Sequence, residues 1–104
     1  MDEYHKLEDT TYISEYVDKK IMLTGKISHV PWQHMTKVVQ SHPYMEYFDV
    51  GDDQIVFYSI EQIDCKSTLT LYGTVIKVEG KSKRPGSDDI YTEYQLVVDK
   101  WQCL

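Results

Sequence analysis

The chain has 104 residues, 41% of them hydrophobic and 27% charged, and a net charge of −6. This is enough for one domain with a single core that needs no metal or disulfide staple. No apolar run nears the roughly 20 residues of a membrane span, and the negative balance excludes a protein that coats nucleic acid by general attraction.

The acidity is uneven. Residues 1–18 hold six acids and one base, whereas residues 19–104 hold ten bases against eleven acids. The chain therefore divides into an acidic N-terminal extension, 1–18, and a nearly neutral body, 19–104. The start, Met1-Asp2-Glu3-Tyr4-His5, lacks the basic and apolar regions of a secretory signal, which points to the cytoplasm. Cys65 and Cys103 lie far apart, outside any C-x-x-C arrangement, and read as two reduced, partly buried thiols. Within the extension, Tyr4, Leu7 and Thr11 have a loosely helical spacing. Ile13, Tyr16 and Val17 read as a short turn packed on the body.

The first predicted strand runs from about Lys20 to Val30. Ile21, Leu23, Gly25 and Ile27 fall on one side; Lys20, Met22, Thr24, Lys26 and Ser28 fall on the other. A period of two marks a half-buried strand. A glycine on the apolar side removes a side chain from the interior and suits a sharp bend or bulge in a closed sheet. Pro31 stops the strand, because it cannot donate to a ladder. Residues 31–43 form a long connection in which Gln33 to Gln40 could supply one or two helical turns.

A second strand is read at Tyr44–Val50, a tight turn at Gly51-Asp52-Asp53, and a third strand at Gln54–Ile60. Residues 61–67 are barely long enough for one helical turn. The fourth strand, Thr68–Glu79, repeats the design of the first, with Leu69, Leu71, Gly73 and Val75 on its apolar side. A polar loop from Gly80 to Asp89 follows, then a fifth strand at Ile90–Trp101 in which Thr92, Tyr94, Leu96 and Val98 oppose Tyr91, Glu93, Gln95, Val97 and Asp99.

Five strands in this order, with long glycine-bearing first and fourth members, resemble an OB-fold. The run Tyr16-Val17-Asp18-Lys19-Lys20-Ile21-Met22-Leu23-Thr24-Gly25-Lys26-Ile27 is similar to the start of OB domains of the anticodon-binding type. The resemblance covers residues 13–101 and implies a mainly β, five-stranded Greek-key barrel. Such a barrel binds single-stranded DNA or RNA through the face of its second and third strands and the loops after its first and fourth. Two departures stand out: the usual helix between the third and fourth strands is nearly missing, and the charge is acidic.

Two windows break the acidic background. Lys26–Met45 has no carboxylate and holds Lys26, His29, Trp32, His34, Lys37 and His42. Lys77–Gly86 holds Lys77, Lys81, Lys83 and Arg84 against Glu79 alone. In the implied barrel both windows flank one cleft, where Trp32, Tyr47 and Tyr58 would stack bases and Lys26, Lys37, Lys81, Lys83 and Arg84 would take phosphates. The competing reading is a protein-interaction module, since nine tyrosines supply large apolar areas with polar handles. The acidic extension would then dock on a basic partner, or on the chain's own basic loops.

No enzyme, cofactor or metal site is expected. There is no nucleophile elbow, glycine-rich phosphate loop or His-Glu-x-x-His. Gly80-Lys81-Ser82 has Val75 where a phosphate loop needs its earlier glycine, and Asp52-Asp53 and Asp88-Asp89 fall where turns need them. His29, His34 and His42, five and eight residues apart, lack a close zinc-ligand spacing.

Overall fold

The two glycine-bearing segments pair with each other. A computed structural model describes residues 3–32, 34–81, 86 and 90–104, with only the backbone of Lys81. Its strands are β1 (His5–Leu7), β2 (Lys20–Ile27), β3 (Tyr44–Val50), β4 (Asp53–Ser59), β5 (Leu69–Lys81) and β6 (Ile90–Cys103). A 3-10 turn spans Ile13–Tyr16, and no α-helix occurs among the described residues. The antiparallel register of β2 and β5 sets Ile21 opposite Gly73, Leu23 opposite Leu71 and Gly25 opposite Leu69. The alternation read from sequence thus puts one apolar face inward, with Ile21, Leu23, Leu69, Leu71 and Val75 fully buried.

All six strands form one sheet in the order β1-β2-β3-β4-β6-β5, and the β2–β5 pairing turns it round into a partial ring. β4 runs parallel to β6 through Phe57↔Leu96 and Tyr58↔Val97. Phe48 of β3 meets Phe57 of β4 edge to face, 5.8 Å between centroids, in the middle of the core. The turn from β3 to β4 places Gly51 at φ 60°, where only glycine is unstrained, as the hairpin chemistry requires.

Both strand glycines mark close backbone approaches. A Cβ on Gly25 would run into the Asp49 carbonyl, at the point where β2 leaves β5 for β3. A Cβ on Gly73 would run into the Val97 carbonyl, beside a bulge at Tyr72/Gly73.

Three expectations are corrected. The spacing of Tyr4, Leu7 and Thr11 does not build a helix; His5–Leu7 is a strand parallel to β2, with His5 opposite Ile21 and Leu7 opposite Leu23. β3 pairs with β2 only near its end, at Lys26 and Ile27, so the edge at 21–23 has backbone groups in need of partners, and β1 supplies them. The short turn packed on the body is present, with Ile13 buried in the core.

The cysteines are not reduced. Cys65 and Cys103 form a disulfide with Cα atoms 5.8 Å apart. Pairing of Leu69 with Cys103, extended by the Leu104 N–H bond to the Thr68 carbonyl, brings the end of β6 beside the turn that carries Cys65. Spacing along the chain holds no sign of this, because the contact arises only when β5 and β6 pair. Finally, the described part of Gln33–Gln40 is not helical. It crosses the outside of the sheet as a strap whose backbone N–H groups are taken by side chains of β4 and β6.

Candidate functional site

β4 is buried from Gln54 to Ser59, on both of its faces. Ile55 and Phe57 face the core, while Gln54, Val56 and Tyr58 lie under the strap. There the sheet's side chains hold the strap's backbone. Trp32 N–H donates to Gln54 Oε1 (2.7 Å), Met35 N–H to Glu93 Oε2 (2.6 Å) and Lys37 N–H to Tyr58 Oη (2.8 Å). Gln95 Nε2 donates to the Met35 carbonyl (2.6 Å) and its Oε1 accepts the Tyr58 hydroxyl (2.6 Å). Met35 lies over Gly80, where a Cβ would approach its sulfur to 2.6 Å. Burial pushes the Tyr58 phenol above its ordinary range; the Lys37 N–H opposes this, and Glu93 and Tyr47 add to it. The hydroxyl is thereby kept as a donor.

Three rings follow one another at the strap's start. Trp32, 49% exposed, stacks within 9° of parallel on His34, whose ring lies 5.7 Å from Tyr47. Beside Trp32 is a shallow open groove of about 560 Å³ lined by Lys26, His29, Val30, Asp49, Asp52 and Asp53 among others. Among its described lining residues, one lysine faces three carboxylates. Asp49 is tied to Gln54 Nε2 (2.8 Å), and Asp53 accepts the Thr10 hydroxyl (2.5 Å), so the extension reaches the groove's rim. Farther up the extension, the Tyr4 ring packs edge-on against Tyr72 and its hydroxyl donates to Asp99, which also pairs with Lys20.

Of the residues singled out from sequence, Lys26 and Trp32 line one groove, and Tyr47 joins them through His34. Lys37 is exposed, next to the strap's anchor on Tyr58. Tyr58 itself is 2% exposed and spends its hydroxyl on the strap and on Gln95, so its ring offers no face to a base; the sequence reading made it a stacking ring, and the strap covers it. The side chain of Lys81, and all of Lys83 and Arg84, lie outside the described residues. Lys77, from the same basic window, pairs with Glu79 at 2.9 Å, which raises the amine's pKa.

Gln54, Glu93 and Gln95 were missed. The available signal was Gln95, a glutamine in mid-strand between Tyr94 and Leu96; Gln54, beside Asp53 at the start of its strand, carried none. Among the described residues no group of three His, Cys, Asp or Glu could hold a metal ion. No helix there is long and apolar enough to cross a membrane. No family model, curated protein or solved structure matches the chain.

Proposed function

We propose that this protein is a non-catalytic binding module of the OB-fold kind, engaging a basic polypeptide segment at the groove beside Trp32. Support for the fold comes from the strand order β2-β3-β4-β6-β5 and the return to β2, the ring expected of a five-stranded Greek-key barrel. The observation that carries the ligand class is the groove itself: a half-exposed indole beside Asp49, Asp52 and Asp53, with Lys26 the single lysine among its described lining residues. An arginine or lysine laid over the indole gains from the ring's negative face as well as from the carboxylates. A phosphate backbone meets the opposite field.

Single-stranded nucleic acid is the second reading, favoured by the ring series Trp32, His34, Tyr47 with Lys26 and Lys37 nearby. Stacking contributes on the order of 1–3 kcal/mol per base even where net charge is unfavourable. Fluorescence anisotropy with an arginine-rich peptide and with single-stranded DNA and RNA, at two salt concentrations, separates the two. The peptide reading expects binding that weakens in Trp32→Ala and in Asp52→Asn/Asp53→Asn. Oligonucleotide binding that tightens in the double asparagine variant, weakens in Lys26→Ala and falls with salt assigns the groove to nucleic acid instead. If Trp32→Ala changes neither ligand's affinity, the groove is not the site.

The Cys65–Cys103 disulfide supports placing the chain in an oxidising compartment rather than the cytoplasm proposed from its N-terminus. Labelling of free thiols in protein taken from its native host, without reductant, decides between the two.

A further inference from the structure

We infer that the strap is latched by a proton held between His34 and Glu93, and that losing this proton frees Trp32, Met35 and Lys37 from the outer face of β4 and β6. The inference goes beyond the binding reading and needs no ligand for its test.

It rests on a count of donors and acceptors. The amide of Gln54 can be oriented in only one way. Its Nε2 faces the Val30 carbonyl (3.2 Å), Asp49 Oδ1 (2.8 Å) and Ser28 Oγ (3.0 Å), while its Oε1 receives the Trp32 backbone N–H. His34 Nε2 is 3.0 Å from that same Oε1, so this ring nitrogen must carry a hydrogen. On the other side, His34 Nδ1 is 2.6 Å from Glu93 Oε1, and Glu93 Oε2 accepts the Met35 N–H. A neutral ring with its hydrogen on Nε2 would set a bare Nδ1 lone pair against a carboxylate oxygen. The contact therefore needs one further proton, on the imidazole or on the carboxyl. Wherever it resides, the closed strap holds it.

The pair is enclosed, with the His34 side chain 8% exposed and that of Glu93 25%. Every packed element contributes a titratable neighbour. β3 supplies Asp49, through Gln54, and the Tyr47 ring; β4 supplies Tyr58, which shares the Lys37 anchor and feels Glu93. Loss of the proton leaves two lone pairs opposed inside the contact. The Trp32 and Met35 anchors share Gln54 and Glu93 with that contact, and the Lys37 anchor is tied to Met35 through Tyr58 and Gln95, so the three release together.

The experiment is an NMR titration of the intact, oxidised protein from about pH 5 to about pH 9, following the His34 ring nitrogens with the amides of Trp32, Met35 and Lys37. Expected is a closed state with hydrogen on both sides of the ring, and one shared midpoint at which the three amides move. Glu93→Gln supplies the control. A glutamine donates its Nε2 hydrogen to a neutral His34 Nδ1 while its oxygen accepts the Met35 N–H, so the strap stays closed with no extra proton and the shared transition vanishes. Strap amides that stay put while the ring titrates would overturn the latch. So would a Glu93→Gln protein with the parent's midpoint.

Discussion

The two faces of β4 bury similar lengths of chain by opposite means. Inward, Ile55 and Phe57 join Phe48 and Leu96 in an apolar core where only shape and area matter. Outward, Gln54 and Tyr58, with Gln95 and Glu93 of β6, spend their polar atoms on the backbone of a passing strap. No described buried side-chain polar atom lacks a hydrogen-bond partner, so the outer face is as fully satisfied as the inner one. The inner face makes the fold; the outer one decides what covers it. A non-directional core tolerates repacking, whereas a hydrogen-bonded face fails when a single partner is removed.

Substitutions sharpen this contrast, and their expected effects fall in order. Phe57→Ala removes a fully buried ring and should lower unfolding free energy in urea by about 3–5 kcal/mol. Opening the disulfide, by reductant or by Cys65→Ser/Cys103→Ser, releases a crosslink between residues 38 apart and should cost about 2–4 kcal/mol on the same assay. Tyr58→Phe keeps the ring but leaves the Lys37 N–H and Gln95 Oε1 without their partner, an expected loss of about 1–3 kcal/mol and weaker exchange protection at Lys37.

Alkaline titration probes the same hydroxyl. Burial holds the Tyr58 pKa above the ordinary 10.0, so the unfolded chain ionises first. The stability this residue contributes is complete below that value and drains away as pH rises past it. Urea midpoints on either side of that pH should therefore drop less in Tyr58→Phe than in the parent. Smallest of all, Trp32→Ala should shift stability within about 0.5 kcal/mol, because half the ring is already in water, while weakening the binding proposed for the groove.

The inner face was largely legible from the chain. Alternation at Ile21, Leu23, Leu69 and Leu71 put those residues inside, and the glycines at 25 and 73 mark close backbone crossings. Gly51-Asp52 gave the turn between β3 and β4. The outer face was not legible in the same way. Tyr58 was read as a stacking platform, because a strand's period of two cannot anticipate a second layer. Helical spacing likewise misled at residues 4–11, where an open strand edge overrode a weak local preference.

Local order along the chain determined the five longer strands, their apolar side, the tight turn and the two notches, since each depends on neighbours a few residues apart. Only the tertiary structure decided which edges would meet: β1 beside β2, Cys103 beside Cys65, and the strap across β4 and β6. Those are contacts between residues 16 to 60 positions apart. They form because unpaired backbone and side-chain polar groups must find partners once the core has closed.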